Sequence, residues 1–130
     1  MPRILIIDDD DGLRRMLVQM LERSGYEVAD AGNGRAGLER LRRGGIDLVV
    51  TDLIMPEQEG LETIMSIRQE FPAMKVVAMS GGARMSGFDF LPAARGLGAV
   101  AALKKPFGRD EFLDTVKRFA GSVETKPGDN

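Results

Sequence analysis

The 130-residue chain predicts an α/β fold, a single doubly wound (βα)5 domain built on a parallel sheet. Short apolar runs alternate along it with longer stretches whose apolar residues recur at helical spacing. The first short run, Arg-Ile-Leu-Ile-Ile, is continuously apolar, as strands are when helices cover both faces of their sheet. Strict strand–helix alternation favours parallel pairing, because parallel neighbours need a crossover and crossovers are right-handed. The length suits one hydrophobic core and is too short for two.

Taken in order, residues 3–7 form the first strand. Leu13, Met16, Leu17, Met20 and Leu21 then make one helical stripe, with Arg14, Arg15 and Glu22 off it. Asp10 and Asp11 stand just ahead, where an N-cap and the helix dipole favour acids. Ser24-Gly25 stops this helix. Residues 26–31 alternate and are partly polar, which places the second strand at an edge. Asn33-Gly34 turns into a short helix carrying Leu38 and Leu41, closed by Gly44-Gly45. Residues 46–51 are the third strand. After Met55-Pro56, the run Leu61, Ile64, Met65 and Arg68 makes a helix ended by Phe71-Pro72. Residues 75–79 are the fourth strand, 86–95 a helix interrupted by Gly87 and Pro92, and 99–103 the fifth strand. Phe112, Val116 and Phe119 mark the last helix. Residues 1–120 therefore read as one domain and 121–130 as a flexible tail. At this size the flavodoxin-like strand order 2-1-3-4-5 fits.

Composition narrows the chemistry. Apolar residues make up 43% and charged ones 29%, a compact globular balance, and a net charge of −2 gives no pull toward nucleic acid or anionic membrane. No apolar run is long enough to span a bilayer and no secretory signal opens the chain, so a cytoplasmic protein is expected. Without cysteine there is neither a disulfide nor a thiolate metal site; without histidine, the usual general base and zinc ligand are missing. Carboxylates, hydroxyls, lysine and backbone remain.

In open α/β sheets ligands collect beyond the carboxyl ends of the strands. Asp8 and Asp9 follow the first strand, Asp52 the third, Ser80 the fourth, and Lys104 and Lys105 the fifth. Each alone has an ordinary reading: a helix cap, a loop serine, a solvated lysine pair. Together they emerge on one edge from strands predicted to be neighbours. Carboxylates converging in one pocket repel one another unless a cation joins them, and magnesium accepts a few carboxylates, waters and a phosphate oxygen. A lysine and a hydroxyl can hold phosphate oxygens, and a carboxylate can accept a phosphoryl group. Phosphoryl transfer asks mainly for such positioning and charge neutralisation.

Over residues 2–120 the chain resembles the receiver domain of bacterial response regulators. Ile4-Leu5-Ile6-Ile7-Asp8-Asp9 looks like that family's acidic pair; the resemblance implies that Asp9 ligates magnesium directly and Asp8 largely through water. Leu48-Val49-Val50-Thr51-Asp52-Leu53-Ile54-Met55-Pro56 looks like the phosphoacceptor segment, which makes Asp52 the nucleophile and a metal ligand, with the Ile54 carbonyl as a further ligand. Ser80 followed by Gly81 matches the family's hydroxyl, and Lys105-Pro106-Phe107 its Lys-Pro-Phe, where the Lys-Pro bond is usually cis. The resemblance implies a sensor histidine kinase or histidine phosphotransfer protein as phosphodonor, docking around Leu13, Arg14 and Leu17. A downstream protein would read the surface of residues 86–107. Ala102 stands where family members often carry a switch aromatic, so the 81–98 region, with Phe88, Phe90 or Leu103, is expected to relay the change instead.

Two rivals stand beside this reading. A phosphatase of the haloacid dehalogenase type also uses an aspartyl phosphate and magnesium, but it usually places a second Asp two residues after the nucleophile, where this chain has Ile54. A receiver-like interaction module that takes no phosphate would lack an acid or the lysine, and all are present. The expectation is a signalling domain rather than an enzyme.

Overall fold

The computed structural model describes residues 2–53, 59–80 and 91–121. In chain order the elements are β1 (Arg3–Ile7), α1 (Asp11–Arg23), β2 (Glu27–Ala31), α2 (Gly34–Arg42), β3 (Leu48–Asp52), α3 (Glu59–Glu70), β4 (Val76–Ser80), α4 (Leu91–Gly96), β5 (Ala101–Lys104) and α5 (Arg109–Ala120). The strands pair in parallel in the order β2-β1-β3-β4-β5, a flavodoxin-like doubly wound sheet with the partly polar β2 at one edge.

Side chains alternate across the sheet, so each strand supplies two cores. Ile4, Ile6, Leu48, Val50, Val77, Met79 and Leu103 face a layer made by Leu17 and Leu21 of α1 with Phe112 and Val116 of α5. Leu5, Ile7, Val49, Val76 and Ala78 face the other layer, made by Leu41 of α2, Ile64 and Ile67 of α3, and Ala94 of α4. Double coverage is why β1, β3 and β4 read as uninterrupted apolar runs.

The helix ends follow local chemistry. Asp10 caps α1 by accepting the Leu13 amide at 3.0 Å, and Asn33 caps α2 by accepting the Ala36 amide at 2.8 Å. At the far end of α1, Gly25 takes a φ of 95°, open to glycine without strain. Tyr26 joins distant parts, its hydroxyl donating to the Gly121 carbonyl at 3.0 Å where α5 ends.

Several expectations are corrected. The third, fourth and fifth strands lie one or two residues further along than residues 46–51, 75–79 and 99–103. Asp47 is occupied before β3 starts, its carboxylate accepting the Arg3 amide at 2.8 Å. At the other end the ladder continues through the polar residues: the Leu53 amide donates to Met79 at 2.8 Å and the Lys105 amide to Ser80 at 2.7 Å. Asp52 and Ser80 are thus the last residues of their strands rather than loop residues. Met16 and Met65, placed in apolar stripes, are 50% and 47% exposed, because each sits one residue off the buried line of its helix. The expected helix over 86–95 is described only from Leu91; its first part, and the tail beyond Gly121, lie outside the described residues.

Candidate functional site

The parity of each strand decides which side chains meet. Asp8 extends the Ile4–Ile6 row of β1, Asp52 the Leu48–Val50 row of β3, and Lys105 the Ala101–Leu103 row of β5, all on the face packed by α1 and α5. Alternation therefore delivers two acids and a lysine to one side of one sheet edge. One oxygen each from Asp8, Asp9 and Asp52 lie within 4.8 Å of one another. Asp8 is fully buried, Asp52 is 4% exposed, and Asp9 faces solvent.

Lys105 reaches over from beyond β5. Its Nζ lies 3.2 Å from Asp8 Oδ2 and 3.5 Å from Asp52 Oδ2. Asp8 Oδ1 is held by the Asp10 amide at 2.9 Å, so both Asp8 oxygens carry protein contacts. Behind the lysine the Lys105–Pro106 bond is cis, and the Phe107 ring stacks on the buried Phe112 with centroids 5.6 Å apart. Ser80, fully buried at the end of β4, continues the Val76–Ala78 row facing the other layer, one residue beyond the Met79 that pairs with Asp52.

Among the described residues three carboxyl groups meet one lysine here, with Asp9 open to water. Hard oxygen donors of that number, half-enclosed and short of positive charge, fit a divalent cation such as Mg2+. The structure brings together Asp8, Asp9, Asp52 and Lys105 and puts Ser80 on the adjoining strand; Ile54 lies outside the described residues.

Two expectations around the site change. Leu17 is fully buried in the core, so it is no part of a docking face; the exposed residues of this part of α1 are Arg15, Met16 and Gln19. Arg14 is also withdrawn, its Nη1 donating to the Asp8 carbonyl at 2.6 Å and its Nε to Asp30 at 2.9 Å. Burial works to lower the Arg14 pKa, but the bonds to Asp11 and Asp30 outweigh it and hold the guanidinium above its ordinary value. Sequence reading missed this role. The Asp11–Arg14 spacing was visible as a helical i,i+3 pair, whereas the Asp30 contact needs the β1–β2 register. Ala102, in the place of a switch aromatic, pairs across the ladder with the equally small Ala78. Of the residues expected to relay in its stead, Leu103 is a core residue, while Phe88 and Phe90 lie outside the described residues.

A family model described as the response regulator receiver domain matches residues 4–117. The chain belongs to that family. Receiver domains are the phosphoacceptors of two-component signalling. Among similar proteins, the response regulator receiver protein CpdR of Brucella abortus is 32% identical over 118 residues, covering 91% of this chain and 96% of CpdR. Sporulation initiation phosphotransferase F of Bacillus subtilis is 30% identical, covering 90% of this chain and 92% of its own length. The chain also matches longer transcriptional regulators, such as NtrC of Azospirillum brasilense, over 24% of that protein. Among solved structures, the response regulator TrrA of Thermotoga maritima, in complex with Mg2+–BeF, is 31% identical with a TM-score of 0.77, covering 92% of this chain and 99% of TrrA.

Proposed function

We propose that this receiver domain takes a phosphoryl group on Asp52 from a phosphohistidine on a separate protein, and that the transfer depends on Mg2+. The observation that carries the reading is the Lys105 ammonium set between Asp8 and Asp52 beside a third acid. Asp8, Asp9 and Asp52, with the Ile54 carbonyl, would hold the ion, which when bound offsets charge on the phosphoryl oxygens. TrrA, solved with Mg2+–BeF, supports this choice of metal.

In this reading Asp52 is the nucleophile: its carboxylate oxygen bonds to phosphorus as the bond to the donor imidazole nitrogen breaks. Lys105 and Ser80 hold the oxygens of the transferred group. The donor in this reading is a sensor histidine kinase or a histidine phosphotransfer protein, since the histidine must come from outside residues 1–130. It meets α1 at Arg15, Met16 and Gln19, where the exposed Met16 offers apolar contact. The product is a changed protein-interaction surface read by a downstream protein rather than a released small molecule, so the domain signals and is not an enzyme. Residues 1–120 form the working unit. Among the described residues no helix is long and apolar enough to cross a membrane, and a cytoplasmic site of action fits an intracellular histidine-linked donor.

Intact-mass measurement with acetyl phosphate tests the proposal. The wild type gains one phosphoryl mass with Mg2+, little with EDTA, and Asp52→Asn gains none. Equal labelling of Asp52→Asn removes Asp52 as acceptor.

A further inference from the structure

Among the described residues at this end of the sheet, Arg14 is a cation held at three points. Besides the Asp8 carbonyl at 2.6 Å and Asp30 at 2.9 Å, its Nη2 meets Asp11 Oδ1 at 2.7 Å. The side chain is 17% exposed, against 77% for Asp11 and 48% for Asp30, so the carbonyl of the fully buried Asp8 is its innermost anchor and the two carboxylates hold it from the solvent side. The Asp8 amide donates to the Ala31 carbonyl at 3.1 Å, so both backbone polar groups of Asp8 are held. Its N–H is tied to the end of β2, and its C=O is tied, through Arg14, to Asp30 on that same strand. Gly32 leaves the room this needs: a Cβ there would stand 3.3 Å from Arg14 Nη1.

We infer that Arg14 is a positioning residue for the acid pair, locking the Asp8–Asp9 backbone so that its carboxylates are preorganised for a divalent cation. This rests on the cation-binding part of the function proposed above. Magnesium tolerates little departure from octahedral geometry, and the turn from β1 into α1 has only Asp9 between the buried Asp8 and the cap residue Asp10. A guanidinium spans three acceptors with one rigid fork, which an ammonium cannot do. Groups that orient a metal's ligands without touching the metal typically change affinity by about 10–100-fold.

The test is calorimetric Mg2+ titration of the full chain, with folding checked by circular dichroism. Arg14→Ala is expected to bind Mg2+ about tenfold or more weakly, Asp30→Asn to shift in the same direction by less, and Arg14→Lys to recover part of the loss. Arg3→Ala is the control, because it breaks another β1–β2 tie, the 2.6 Å Arg3–Glu27 pair at the opposite end of those strands, and should leave Mg2+ affinity unchanged. With acetyl phosphate, Arg14→Ala should need more Mg2+ for half-maximal labelling yet approach the wild-type rate at saturating Mg2+. Wild-type affinity in Arg14→Ala overturns the inference, and so does an equal loss in Arg3→Ala, which would mean general loosening of the two strands. If Arg14→Ala does not fold, Asp30→Asn decides by the same comparison. A wild type that binds Mg2+ but takes no phosphoryl group sinks the phosphoacceptor reading and leaves the Arg14 comparison intact. A wild type that binds no Mg2+ ends both.

Discussion

Asp8 has no exposed surface, and a buried carboxylate persists only with compensating partners. Lys105 and the Asp10 amide are those partners. Lys105→Met should therefore lower stability by about 1–3 kcal/mol in EDTA, the cost of leaving a buried polar group under-satisfied, with part of the loss restored by Mg2+. Urea unfolding in both buffers measures this, and equal stability of variant and wild type in EDTA would show the ammonium to be structurally idle. Tyr26 gives a second residue-scale prediction. Burial pushes its phenol above the usual tyrosine value, so the neutral hydroxyl bonded to Gly121 is the form the fold favours. With a raised folded pKa, that contribution is whole below about pH 10 and is lost as pH rises through the folded value. Tyr26→Phe should cost about 0.5–1.5 kcal/mol at pH 7, and unfolding curves taken at rising pH should show the gap to wild type closing above about pH 10. At this scale the sequence revealed the acids, the lysine and the serine, because each follows or ends a recognisable apolar run. It concealed Arg14 and the engagement of both Asp8 oxygens, because those contacts join residues through strand register rather than local spacing.

Between elements, the site depends on how closely α3 approaches the end of β3. A Cβ at Gly60 would lie 2.4 Å from the Cα and carbonyl oxygen of Leu53, and that backbone is anchored by its 2.8 Å bond to Met79. It cannot yield without disturbing Asp52, its neighbour. Gly60→Ala should cost about 1–3 kcal/mol, the range for overpacking, and should slow labelling of Asp52 at saturating Mg2+. Urea midpoints and the intact-mass time course check the two halves; a variant as stable as wild type would mean α3 can slide. Element type and order were legible throughout, since period and punctuation agree along the chain. Strand ends were less so. Asp52 and Ser80 look like loop residues by polarity, yet their ladder bonds continue, because a polar side chain at a sheet edge does not prevent its backbone from pairing. Met16 and Met65 show the other limit: an apolar residue one step off a buried stripe looks like core and lies at the surface.

At the scale of the whole molecule, the doubly covered sheet forces its polar strand ends to one edge, where like charges gather. One oxygen each of Asp8, Asp9 and Asp52 lie within 4.8 Å of one another, with Lys105 as the nearby counter-charge among the described residues, so the fold gathers like charges at that edge that a bound cation would relieve. The sign of a charge-removing substitution must then depend on the metal. In EDTA, Asp9→Asn removes one repelling charge at a solvent-facing position and should stabilise the fold by up to about 1 kcal/mol, the scale of exposed charge interactions. With Mg2+ at 100 times its dissociation constant, the wild type gains about 2.7 kcal/mol by mass action, while Asp9→Asn, with one ligand fewer, gains less. The order of stabilities should therefore invert between EDTA and millimolar Mg2+, and paired urea unfolding of the two proteins in both conditions reads the crossing directly. If the two proteins keep one order of stability in both buffers, the acids are not working as a cation site, whatever their spacing.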